Sequence, residues 1–209
     1  LGSAADSNSI ALAEGPERLV EPATSVSFLT EPTYTNIAFR CVAVGVRRKV
    51  IFNVYGVAFC LERSRAQQAL DQAAASVGGT HTATELESTP GFFDALRDAP
   101  VAKAAHLIFV RAVSKEQATD ALVQAVSGAL GPEGADRVER LRGMVSRDVK
   151  VGEELILTTQ PDGTVHVVLG QEDRSLNDPL VARLIWNVWL SPGGVSPTLR
   201  TSLARSAVH

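Results

Sequence analysis

Two side chains in the apolar stretch Val42 to Glu62, VAVGVRRKVIFNVYGVAFCLE, have the chemistry to hold an anion. Arg47 carries a planar fork of N–H donors that matches a carboxylate, and Tyr55, eight residues on, adds one O–H. Side by side on an apolar surface they would grip an acidic head group. To do so they must share a face. The stretch reads as one long buried strand, because a helix would have to absorb its glycines and its many valines. On a period of two, Arg47, Lys49, Ile51, Asn53, Tyr55 and Val57 lie on one side and Arg48, Val50, Phe52, Val54 and Gly56 on the other. A bulge that shifts the register would put Arg48 in the place of Arg47.

Composition narrows the partners. The chain has 209 residues, 45% hydrophobic and 21% charged, enough for one domain with a sizeable core. A formal net charge of −3, with no run of like charge, gives no general attraction to nucleic acid or to anionic membranes. No uncharged apolar run reaches the ~18 residues of a transmembrane helix. The first residue is Leu1 rather than a methionine, which points to a tag scar or a removed leader. In the second case an organelle (plastid or mitochondrion) or the bacterial periplasm is the expected compartment. Cys41 and Cys60 are expected as buried free thiols, and His81, His106, His166 and His209 show no ligand spacing, so no metal site is expected.

The elements that would position the pair follow from local signals. Residues 1–20 carry no pattern and read as a flexible lead-in to a single domain over 21–209. Ser25 to Leu29 and Thr35 to Cys41 read as strands around a turn at Glu31, Pro32 and Thr33. Ser64 with Gln67, and again Ser114 with Gln117, spell capping boxes. The first opens a helix that runs to Gly78 and Gly79; the second opens one with a small-residue stripe ending at Gly131 and Pro132. Thr80 to Thr89 reads as a loop, Phe92 to Arg97 as a short helix, Ala104 to Val113 as a strand and Ala135 to Val145 as a charged helix. Glu154 to Thr159 and Thr164 to Leu169 form a hairpin through Gln160, Pro161, Asp162 and Gly163. Asp178 caps a helix reaching residue 190, flanked by Trp186 and Trp189, and Pro197 opens the last helix. Strands early and helices late predict an α+β fold, a large mainly antiparallel sheet with a layer of helices.

Several of these stretches, in this order, resemble the chalcone isomerase family. GVRRKVIFNVYGVAFCLE is similar to its central strand, and ARLIWNVWLSPGGVSPTLRTSLA to its C-terminal helix, turn and final helix. FFDALRDAPVAKAAHLIFVRAVSKEQATDAL and LTTQPDGTVHVVLG fall between them as the family requires, so the resemblance spans residues 20 to 205 or so. It implies the open-faced β-sandwich of the chalcone isomerase type.

The resemblance also implies a site, in a cleft between the long strand and the helices at 114–130 and 178–190. Of the family's catalytic set only the strand arginine remains, as Arg47. The threonine position falls on Tyr55, the lysine on Phe109, the tyrosine on Ala118, the asparagine on Ala125 and a late threonine on Val188. Loss of the lysine, tyrosine and asparagine removes the donors that orient a polyphenol and polarise its carbonyl. What remains matches the non-catalytic, fatty-acid-binding branch: Arg47 and Tyr55 for a carboxylate, and Phe109, Ala118, Ala125, Val188 and Trp189 for an apolar wall. A monomer without a cofactor is expected. The alternatives are an intramolecular lyase running on Arg47, or a haem-binding member with His106 or a cysteine as ligand. Taken without the family, Trp186 and Trp189 are packing residues and His106 is an ordinary strand residue.

Overall fold

The computed structural model describes residues 16–130 and 134–208. Residues 1–15 of the expected lead-in, His209, and the helix stop at Gly131 and Pro132 lie outside them. Arg18–Val20 (β1), counted with the lead-in, pair antiparallel with Ser27–Leu29 (β2) as a two-stranded ribbon.

The main sheet has seven strands in simple sequence order, every neighbouring pair antiparallel: Thr33–Tyr34 (β3), Ile37–Lys49 (β4), Phe52–Glu62 (β5), Lys103–Phe109 (β6), Glu154–Thr159 (β7), Thr164–Leu169 (β8) and Glu172–Asn177 (β9). The fold is thus α+β with a large antiparallel sheet, as expected. Strand β9 escapes sequence reading because EDRSLN is polar and mostly exposed, the usual dress of an edge strand.

The stretch read as one long strand is instead two. Its chain reverses at Val50 and Ile51, so that β4 and β5 form a hairpin with Lys49 opposite Phe52. Nothing local announces this turn: it holds no Gly, Asn, Asp or Pro, and Val50 takes φ 58°, a conformation that β-branched residues rarely adopt. The reversal also overturns the expectation of free thiols. Cys41 and Cys60 face each other in register and are joined by a disulfide. On one straight strand they could never have met; across a hairpin they are neighbours.

The helices cover one face of the sheet. The Ser64 box does not form. Ser64 donates to the Glu62 carboxylate instead, and Ala66–Ala75 (α1) is entered through a 3-10 turn at Arg63–Arg65. A complete capping box forms at Thr82 and Glu85, opening Ala83–Ser88 (α2) inside the stretch expected as loop, and Pro90–Asp98 (α3) follows. The Ser114 and Gln117 box does form, at the start of Lys115–Leu130 (α4); Ala135–Arg142 (α5) comes next. Asp178 caps Pro179–Leu184 (α6) by accepting from the Leu180 and Val181 amides, but the expected single helix breaks before Asn187–Leu190 (α7).

Pro197–Ser206 (α8) lies along β4. Beyond the short β3 that strand has an unpaired edge, and α8 presents hydroxyls at four-residue spacing to it. Thr198 accepts from the Val46 amide at 2.9 Å and Ser202 from the Val44 amide at 3.2 Å. The approach is close enough that a Cβ on Gly45 would lie 2.5 Å from the Leu199 backbone nitrogen. On the other face Gly56 makes the matching concession, where a Cβ would lie 2.3 Å from Val26 beneath the ribbon. Among the described residues no helix is long and apolar enough to cross a membrane.

Candidate functional site

Between the helix-covered face of β4 to β7 and the helices α4 and α7 lies a cavity of about 650 Å³. Exposed Lys49, Val50, Arg111 and Gln117 border its mouth; buried Tyr55, Leu157, Val188 and Trp189 border its interior. The small side chains Ala118 and Ala121 of α4 keep the opposite wall back from the sheet.

Arg47 and Tyr55 share this cavity, though not as two positions on one straight strand. They are cross-strand partners in the β4–β5 hairpin. With a two-residue turn after Lys49, regular pairing would set Arg47 against Val54 and send Tyr55 to the far face. A bulge prevents this. The register steps from Arg47↔Tyr55 to Arg48↔Asn53, leaving Val54 extra, so that both Val54 and Tyr55 face the cavity. The unread turn and the unread bulge cancel, and the predicted pairing survives. Arg48 goes to the other face, where it donates to Asn53 at 3.1 Å, and Asn53 in turn donates to the Ala23 carbonyl. The pocket arginine is Arg47.

The Arg47 guanidinium carbon stands 5.8 Å from the centre of the Tyr55 ring, which Phe109 meets edge-on at 5.3 Å between centroids. Burial raises the pKa of the Tyr55 phenol; the nearby Arg47 charge and the Trp189 indole only partly oppose this. Tyr55 is therefore an O–H donor at neutral pH.

Trp189 supplies a third donor. Its buried Nε1 is aimed at the Tyr55 hydroxyl as a donor, which favours the phenolate, but the contact falls short of full hydrogen-bond geometry. Four other buried side-chain atoms among the described residues also make no full hydrogen bond, on Thr30, Thr35, His81 and Thr158, but only Trp189 borders this cavity. A better-aligned acceptor in the cavity would complete this donor's hydrogen bonding. The one acidic residue of the wall, Asp120, is exposed and pairs with Arg142 at 3.3 Å.

Six of the seven expected site residues, Arg47, Tyr55, Phe109, Ala118, Val188 and Trp189, border the cavity. Ala125 does not. It packs half-buried against the core one turn beyond Ala121, and the α4 wall of the cavity stops at Gln124. Sequence reading gave Trp189 the role of apolar wall and missed its N–H, because only the break between α6 and α7 aims the ring at Tyr55. It also missed Lys49 and Arg111 at the mouth.

The residues considered for haem do not fit it. Cys41 and Cys60 are consumed by their disulfide. His106 points to the opposite face of the sheet with both nitrogens engaged, Nδ1 with the Tyr34 hydroxyl and Nε2 with Glu154, each at 2.8 Å. It is more than the ordinary strand residue expected.

No protein-family model matches the chain, and no curated protein sequence matches it. Solved structures do. A fatty-acid binding protein of Arabidopsis thaliana superposes with a TM-score of 0.73 at 16% identity, over 91% of this chain and 98% of that one. The chain has the chalcone isomerase-like fold. Within that fold, the cavity lies where the resemblance of the long strand and the late helices placed it.

Proposed function

We propose that the protein binds a fatty acid or a similar apolar carboxylate, with the head group held by Arg47, Tyr55 and Trp189 and the chain lying along Phe109, Ala118 and Val188. The observation that carries this reading is that the Arg47 guanidinium, the Tyr55 hydroxyl and the Trp189 indole stand together on the wall of one cavity. Three donors converge on one apolar cavity, and the only carboxylate in its wall is already paired. Such a set suits a ligand that is anionic at one end and apolar at the other. The similar fold of a fatty-acid binding protein supports the same reading. The Cys41–Cys60 bond favours an oxidising compartment.

The test is extraction and mass spectrometry of small molecules from the purified protein, followed by titration of the delipidated protein with laurate and palmitate. Arg47→Ala should weaken binding by about 1.5–3 kcal/mol, roughly ten- to a hundredfold, with the fold intact by circular dichroism. Equal affinity in the two proteins would overturn the assignment.

A further inference from the structure

The tip of the β4–β5 hairpin exposes what a soluble protein ordinarily hides. Val50 is 90% exposed, Ile51 79% and Phe52 49%, three consecutive apolar residues of which Val50 and Phe52 border the cavity. Val151 joins them at 65% exposure. The Phe109 carbonyl accepts from the Gly152 amide and the Val54 carbonyl from the Val110 amide, which brings the turn carrying Val151 to the same end of the sheet.

A basic collar surrounds this patch. Arg48, Lys49, Arg111 and Lys150 stand around it, and among the described residues none of the four is in an ion pair. Arg111 lies over the Phe52 ring, 4.1 Å from its centre. From Cys41 to Leu61 there is no acidic residue at all. Of the acidic groups on the neighbouring segments, Asp120 pairs with Arg142, Glu153 with Arg147 and Glu116 with Lys115, while Asp148 is in no ion pair and accepts from the Lys115 amide. A chain of net charge −3 thus concentrates unpaired positive charge around its most exposed apolar residues.

We infer that this tip docks the protein on an anionic lipid surface, with Val50, Ile51 and Phe52 entering the interface and the collar meeting the lipid phosphates. An apolar wedge in a ring of Lys and Arg is the chemistry such an interface selects. Val50 and Phe52 also border the cavity, so docking seats its mouth against the acyl region from which an apolar carboxylate would enter or leave. The purpose of the docking rests on the proposed function; the docking itself does not.

The test is flotation of the purified protein with phosphatidylcholine vesicles, with and without phosphatidylglycerol, alongside solution titration of a fatty acid. Ile51, Arg48 and Lys150 do not border the cavity, so Ile51→Asp and the double variant Arg48→Glu with Lys150→Glu should keep the wild-type affinity for free fatty acid. Wild type should float with the anionic vesicles and be released by salt, and each variant should lower the bound fraction by about tenfold. Absence of wild-type flotation, or equal flotation of wild type and variants, would overturn the inference. So would a wild-type dimer in light scattering that Ile51→Asp dissolves, since the patch would then belong to a second copy. Flotation without fatty-acid binding would overturn the proposed function and leave the docking surface standing; binding without flotation would do the reverse.

Discussion

The two faces of the sheet treat their buried polar groups in opposite ways. On the ribbon-covered face the Tyr34 hydroxyl meets His106 and His106 meets Glu154, while Glu21 accepts from the Ala23 and Thr24 amides. The disulfide lies there too, packed with Phe28 and Phe39. Three hydroxyls on or beside that face have no partner, those of Thr158, of Thr30 at the end of the ribbon and of Thr35 in the β3–β4 turn, and none of them borders the cavity. The helix-covered face pairs its Trp186 indole with Thr159 at 2.9 Å, but holds its own tyrosine, Tyr55, beside an incompletely bonded Trp189 indole N–H and an open volume. Burial raises the pKa of both phenols. Similar residues thus serve different ends: matched donors and acceptors stabilise the fold, and donors left unmatched around a void are what a ligand can complete.

The division can be broken most strongly at the disulfide. Replacing Cys41 and Cys60 together by alanine should cost about 3 kcal/mol of stability, for a loop closed over 19 residues, read as a lower denaturant midpoint. Fatty-acid affinity should not change; a loss of affinity would show that the two faces are coupled. Next in size, Tyr55→Phe should weaken binding by about 1.5 kcal/mol while moving the stability of the empty protein by less than about 0.5 kcal/mol. A larger fall in the empty protein would mean that the phenol already has a strong partner there.

The smallest effect is a pH slope. Burial holds the His106 imidazole below its ordinary 6.5, against the opposing pull of Glu154; Arg18 adds to the lowering. Below that pH the unfolded chain binds more protons than the folded one at this position, so stability should fall as the solution is acidified and level off above it. Comparing Tm against pH in wild type and His106→Gln checks this, with the variant expected to show the shallower acid slope. Ligand affinity in the same window should be unaffected.

Much of the fold was legible because its signals are local. The Glu154 to Leu169 hairpin, the Asp178 cap and the Ser114 box stand where their residues put them. Other signals competed and lost. Ser64 is a competent cap that found the Glu62 carboxylate nearer than the helix amides, while Thr82 and Glu85 built a box in a stretch that read as loop. The turn at Val50 and Ile51 had no signal, since the positive φ of Val50 is imposed by β4–β5 pairing.

The sequence by itself determined which side chains of the long stretch have the chemistry to hold an anion, Tyr55 with Arg47 or, after a bulge, Arg48, and that small side chains on α4 leave room near them. Side-chain type and helical spacing are properties of the residues alone. Tertiary structure decided the rest: that Cys41 meets Cys60, that Val54 bulges so Tyr55 faces Arg47, and that the Trp189 indole meets Tyr55 at the cavity wall. Each of these depends on register between segments, and register is settled only when strands and helices bury their apolar faces together.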